Sequence, residues 1–319
     1  MASIRILIVT PAAVGSRSGN RATARRWSRL LRSLGHKVCV AETYTGQPCD
    51  LFIALHARKS SASIARHAQQ HPDRPIVLAL TGTDLYHDIH HAESAKRSLK
   101  LTTQLVLLQA HGRGEIPRQF HHKVTVIYQS ASPPPKPARP LASVFEVCVS
   151  GHLRAVKDPF RAALAARRLP TKSRIQITHV GAALSAAMSR RAQLEMDRNR
   201  RYRWFGEQPA WRARQLLARS RLLVLSSKME GGANVISEAM VSSVPILATR
   251  ISGSIGLLGK RYPGYFDVGD TVGLANLLQR CEQQPGFYRH LISHCQRQAE
   301  RFEPGRESAS WQSLLDKII

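Results

Sequence analysis

What most restricts the fold of this chain is a rhythm of short apolar runs separated by amphipathic stretches. In the first half the runs are "RILIVT", "KVCVAET", "DLFIALH", "PIVLALT", "QLVLLQ" and "VTVIYQ". Most are apolar at consecutive positions rather than alternate ones, the pattern of strands buried on both faces. The clearest intervening helix is "NRATARRWSRLLRSLG", where Ala24, Trp27, Leu30, Leu31 and Leu34 fall on one side and Gly35 supplies a stop. Such βαβα alternation predicts a mostly parallel sheet covered on both faces.

The rhythm breaks once, at "SASPPPKPARPL", with five prolines in twelve residues. Proline fixes φ and removes a backbone donor, so this stretch predicts a stiff, extended connector. Beyond it come "FEVCVS", "RIQITHVG", "YRWFG", "RLLVLSS" and "VPILATR", again with helical segments such as "DPFRAALAARRL" and "AWRARQLLARS" between them. The expected architecture is therefore α/β, with two doubly wound, Rossmann-like domains in tandem, 1–140 and 141–304. The chain of 319 residues is long enough to give each its own core. A last helix, 305–319, carries Trp311, Leu314 and Leu315 on one side and is expected to pack back on the first domain. Ligands of such sheets bind at the carboxyl ends of strands, so a cleft between the domains is the expected site.

No segment has the length and apolarity of a membrane span, and "MASIRILIVTPAAV" reads as a first strand rather than a signal peptide; a cytoplasmic protein is expected. The five cysteines, Cys39, Cys49, Cys148, Cys281 and Cys295, contain no CxxC pair and are expected to be buried, reduced thiols. The charge is unusual. Lys and Arg number 47 against 21 Asp and Glu, a formal +26. Between Ala186 and Arg221 there are ten arginines and three acids. Such a surface attracts nucleic acid or anionic lipid, but the expected reading is a solvated basic face with no partner of its own.

Against that charge, "SSKMEGGANVISEAM" (226–240) places two carboxylates, Glu230 and Glu238, around a glycine-containing loop. A strand, this loop and a helix starting near Asn234 would direct unpaired backbone N–H groups and a positive helix end toward one anion. The glutamates could then accept hydrogen bonds from hydroxyls on either side. "VSGHLRAVKDPF" follows the first strand of the second domain with Gly151, Arg154 and Lys157, a cationic pair able to neutralise a leaving diphosphate. In the first domain, "TPAAVGSRSGNRATARRW" sets Gly15, Arg17, Gly19, Asn20 and Arg21 between first strand and first helix, another anion-friendly loop. "LHARKS" and "LTGTDLYHD" follow the third and fourth strands, and "VIYQSA" ends the domain. The sequence has no Asp-x-Asp, and no acid or cysteine set completes a metal site around "HDIHH" (87–91) or "HH" (121–122); no metal and no cofactor are expected.

The Gly151, Arg154, Lys157 loop together with the Glu230-x7-Glu238 motif resembles the family 4-like glycosyltransferases of the GT-B fold. The resemblance implies that Arg154 and Lys157 bind a nucleotide-sugar diphosphate, with Gly151, Gly231, Gly232, Ala233 and Asn234 around it. It further implies that Glu230 faces the donor sugar and Glu238 the ribose, and that "THVGAAL" and "WFGEQP", with Gly206, lie near the base. Within that group, "RILIVTPAAVGSRSGNRATARRW", "LHARKSSASI", "LTGTDLY", "VLLQAHG" and "VIYQSA" resemble the selenosugar synthases of selenoneine biosynthesis. This likeness implies transfer from a UDP-sugar, UDP-N-acetylglucosamine being the expected one, to the selenium of selenophosphate. Arg17, Asn20 and Arg21, with Thr81 and Thr83, are then expected to anchor the acceptor alongside Gly15 and Gly19. Asp84 is expected to orient a sugar hydroxyl or water, because a carboxylate repels an anionic acceptor. Two alternatives are a related GT-B enzyme with a hydroxyl or thiol acceptor, and a nucleic-acid-binding protein using the 186–221 arginines. The latter leaves the anion loops without a purpose and lacks any RNP-like or zinc-finger pattern.

Overall fold

The computed structural model describes residues 3–136 and 138–319; Met1, Ala2 and, within the proline-rich connector, Pro137 lie outside the described residues. The chain forms two compact units. The first takes in Met1–Gln129, Glu230–Ala233 and Pro304–Ile319, and the second Ser130–Met229 and Asn234–Glu303.

The first unit runs β1 (Arg5–Val9), α1 (Gly19–Ser33), β2 (Lys37–Ala41), β3 (Leu51–Leu55), α2 (Ser61–Gln70), β4 (Ile76–Leu80), α3 (Ile89–His91), α4 (Glu93–Leu101), β5 (Gln104–Leu107) and β6 (Val124–Val126). All six strands are parallel, in the order β2-β1-β3-β4-β5-β6. Strand periodicity divides their side chains between two cores. Ile6, Ile8, Ile53, Val77 and Val106 pack with Trp27 and Leu31 of α1. Leu7, Val9, Phe52, Leu78 and Leu105 pack with Ile64 of α2 and Leu99 of α4.

The second unit continues with β7 (Phe145–Ser150), α5 (Arg161–Ala166), β8 (Ile175–Val180), α6 (Ala186–Arg198), β9 (Tyr202–Trp204), α7 (Ala210–Arg219), β10 (Leu222–Leu225), α8 (Asn234–Val241), β11 (Ile246–Thr249), α9 (Ser252–Leu258), β12 (Tyr265–Phe266), α10 (Thr271–Gln283) and α11 (Pro285–Gln298). Its parallel sheet has the order β12-β11-β10-β7-β8-β9. The chain then returns to the first unit through α12 (Pro304–Ile318), whose Trp311, Leu314 and Leu315 join the α1 core. Trp311 meets the Trp27 ring edge-on at 4.8 Å, and buried Glu307 accepts from Trp27 Nε1 at 2.7 Å and pairs with Arg26 at 3.0 Å.

Among its described residues, the connector 130–141 contains no regular element and is held by side chains rather than by stiffness alone. Gln215 of α7 accepts from Ala138 N–H and donates to the Lys136 carbonyl. Two sequence expectations need correction. β12 went unrecognised because two residues at a sheet edge leave no periodicity to read. Cys39 is exposed, whereas the other four cysteines are buried. It sits on the edge strand β2, where Val38 faces the core and its neighbours face solvent. Among the described residues, no helix is long and apolar enough to cross a membrane.

Candidate active site

In both sheets the strand order reverses direction at one place, where connections leave on opposite faces and open a crevice at the carboxyl ends. That switch point lies between β1 and β3 in the first unit and between β7 and β10 in the second. The β1–α1 loop, the β7–α5 loop and the β10–α8 loop, singled out from sequence, therefore follow the strands that border these points.

In the first unit, Ser18 caps α1 by accepting from Arg21 N–H at 3.4 Å, and Gly15 has a φ of +85°. The left-handed backbone at Gly15 explains the glycine there. Val14 N–H donates to Glu42, which ties the exposed loop to the end of β2. Arg17 is exposed, Asn20 half-buried and Arg21 buried. At the end of β4, Thr81 is half-buried and Thr83 exposed. Asp84 departs from its expected role. It is fully buried; one oxygen accepts from the Thr81 and Gly82 N–H groups, both at 2.9 Å, and the other from Ala57 N–H at 3.0 Å. With a further contact from Thr81 Oγ1 at 3.4 Å, Asp84 latches the loop after β4 to the loop after β3 and positions both, where a sugar hydroxyl or water was the expected partner. Just before Ala57, His56 holds a φ of +77°, strained for a residue with a Cβ. "VIYQSA" is also anchored: Gln129 donates to Thr23 of α1 at 2.6 Å.

Glu230–Ala233 pack within this first unit. Glu230 is buried. A Cβ on Gly231 would lie 2.4 Å from the Thr81 carbonyl, and one on Gly232 2.5 Å from Leu108 Cβ. Close backbone approach therefore requires both glycines, whatever ligand their N–H groups meet.

In the second unit, Gly151, exposed Arg154 and half-buried Lys157 follow β7. Asp158 has a φ of +43°, and Arg161 pairs with it at 2.8 Å while also donating to Thr271. Ser226, just past β10, donates to the Lys157 and Asp158 carbonyls at 3.2 and 2.8 Å, and Lys228 N–H donates to the Val156 carbonyl at 2.8 Å. The two loops bordering the second switch point are thereby fastened together. Asn234 opens α8, and half-buried Glu238 lies one turn along it. Burial, with Glu146 and Glu238 adding to it, pushes the Cys148 thiol up, so the cysteine is inert.

Sequence reasoning placed "THVGAAL" near the base but gave its histidine no role, although that residue shapes the region. His179 is fully buried; Nδ1 lies 2.9 Å from Tyr202 Oη and Nε2 3.1 Å from the Gly151 carbonyl. Burial lowers it to about 4, so the ring is neutral, with Nε2–H donating and Nδ1 accepting. A Cβ on Gly181 would fall 2.0 Å from the same Gly151 carbonyl, and Gly181 N–H donates to the Gly206 carbonyl at 2.8 Å. Glycines 151, 181 and 206 thus line the carboxyl ends of β7, β8 and β9. The signal available in the sequence was a histidine inside the strand run "RIQITHVG".

Among the described residues, no group of three or more His, Cys, Asp or Glu side chains is arranged to hold a metal. Several arginines of the 186–221 stretch are engaged internally. Arg219 forks onto Glu146, Arg201 donates to the carbonyls of Pro170, Thr171, Ser173 and Ile175, and Arg191 lies over Phe160. They hold the second unit together, which accounts for part of the basic stretch without a polyanion.

Residues 142–297 match the family described as "Glycosyl transferases group 1". The match spans most of the second unit, and the fold of the whole chain is GT-B. Among solved structures, HepE from Anabaena in complex with UDP and glucose is similar with a TM-score of 0.79 at 18% identity, covering 98% of this chain and 100% of that one. A glycosyltransferase from Rickettsia africae has a TM-score of 0.78 at 13% identity, covering 100% and 99%. Sucrose-phosphate synthase from Thermosynechococcus elongatus has 0.77 at 13%, covering 98% of each chain. No curated protein sequence is significantly similar to this one.

Proposed function

We propose that this protein is a selenosugar synthase that moves the sugar of UDP-N-acetylglucosamine onto the selenium of selenophosphate, giving a 1-selenosugar for selenoneine biosynthesis. The observation that carries this reading is the position of "GSRSGNR" and "TGTDLY", the first-unit segments that most resemble such enzymes. One follows β1 at the switch point and the other follows β4, both at the carboxyl edge of the same sheet. The UDP and glucose held by HepE support the UDP-sugar half of the proposal.

In this reading the C–Se bond forms as the anomeric carbon–oxygen bond breaks, the electron pair leaves with UDP, and water then cleaves the Se–P bond to release phosphate and the 1-selenosugar. Selenium is soft and already nucleophilic, so the protein's work is alignment and stabilisation of the leaving charge. Arg154, Lys157 and the backbone from Gly231 to Asn234 receive the diphosphate. Glu230 faces the donor sugar, Glu238 the ribose, and Gly151 and Gly206 border the nucleotide. Arg17, Asn20 and Arg21, with Thr81 and Thr83, face the acceptor, and Asp84 holds the loop that carries the threonines. Neither metal nor cofactor has a role.

The test is UDP release from UDP-N-acetylglucosamine in EDTA, with and without freshly generated selenophosphate, with mass spectrometry for selenium's isotope pattern. Selenophosphate-dependent release and a selenium-bearing sugar are expected. Donor binding without a selenium product would overturn the acceptor assignment and point to a hydroxyl or thiol acceptor.

A further inference from the structure

α1 begins with the wrong charge. The positive end of a helix favours anions, yet no acidic residue occupies its first turn and Arg21 does. Arg21 is only 7% exposed, and its Nε and Nη1 have no hydrogen-bond partner. A guanidinium that is buried, unpartnered and placed at a helix N-terminus is unfavourable on all three counts. The strand feeding this turn repeats the pattern. Thr10, immediately after β1, is fully buried, and its hydroxyl also lacks a partner.

Arg21 shares the core-facing stripe of α1 with Ala24, Ser28 and Leu31. As the first member of that stripe, it stands at the carboxyl edge of the sheet, where the helix starts. Gly15 and Gly19 carry no side chain, and a Cβ on either would meet nothing within 4 Å, so the approach along the loop is open. Both deficits here are a missing partner, for the guanidinium and for the hydroxyl.

We infer that the β1–α1 junction is a subsite for a tetrahedral oxyanion centred on Arg21, and that inorganic phosphate occupies it in competition with the acceptor. The acceptor's identity rests on the function proposed above; the oxyanion subsite rests on the β1–α1 geometry alone. If the acceptor is a phosphorus oxyanion whose Se–P bond is later hydrolysed, the phosphate released is itself a ligand of this subsite. Accumulating phosphate then slows the enzyme by occupying the acceptor position, not the nucleotide position.

The experiment is titration of the full-length protein with orthophosphate by calorimetry and thermal shift, at constant ionic strength with chloride as control, alongside UDP titration. The wild type should bind phosphate and gain thermal stability. Arg21→Met should bind it about ten- to hundredfold more weakly, the loss of a charge-assisted fork, with UDP affinity unchanged. Arg21→Lys keeps the charge without the fork and should fall between, which separates phosphate recognition from a folding defect. In turnover assays, phosphate should raise the acceptor KM without lowering kcat. No phosphate binding by wild type, or equal binding by Arg21→Met, overturns the subsite. Arg21-dependent phosphate binding without any selenium product leaves the subsite standing and removes the selenophosphate assignment.

Discussion

Lys157 is the residue whose replacement separates chemistry from scaffold most cleanly. Its backbone is fixed by Ser226, so truncating the side chain leaves the loop in place. Lys157→Ala should lower turnover by roughly two orders of magnitude if the ammonium stabilises the leaving diphosphate. Steady-state UDP release by the folded variant checks this, and normal turnover would remove the assignment. Asp84 makes the opposite prediction. Asp84→Ala leaves the Ala57, Thr81 and Gly82 N–H groups without their buried acceptor and should cost about 3–5 kcal/mol of stability in chemical denaturation. Asp84→Asn, which keeps one acceptor oxygen, should cost less. The sequence places Asp84 beside the site, but its role is unreadable there, because it depends on Ala57, far away in the chain and brought close only by β3 pairing with β4.

At the level of elements, the interior strands are the most legible part of the chain. β3 and β4 are buried at every position, so continuous apolarity defines them without help from turns. Edge elements are less legible for the converse reason: β2 is half solvated, and β12 has only two residues. The anion loops are legible as glycine-containing joins between strand and helix. That Gly231 and Gly232 are also demanded by Thr81 and Leu108 is not, since no local pattern encodes a distant backbone. α12 offers the element-scale test. Trp311 is fully buried against Trp27 and its Nε1 has no partner, so it contributes by packing alone. Trp311→Ala should destabilise the protein by about 3–5 kcal/mol, read as a fall in Tm, while leaving UDP affinity largely intact in the folded fraction.

For the molecule as a whole, pH acts through histidines that are buried neutral. Burial lowers both His67 and His179 to about 4. Unfolded histidine titrates near 6.5, so below that value the unfolded chain takes up protons that these two sites refuse. Their contribution is complete above about pH 6.5 and is lost as pH falls toward 4. For fully buried His179 the loss is on the order of 3 kcal/mol. Denaturation midpoints measured between pH 7.5 and 4.5 should fall across that window. His179→Gln should flatten part of the slope, and an unchanged slope would contradict the neutral-ring assignment.

The return of α12 to the α1 core also sets an order of events during synthesis. A ribosome delivers residues 304–319 only after all of the second unit has been made. Until then Trp27 lacks both the Trp311 ring and the Glu307 carboxylate that accepts from its indole nitrogen. The unit whose strands emerge first is therefore the one whose core closes last, and a nascent chain halted before Pro304 would expose an apolar face along α1 to chaperones.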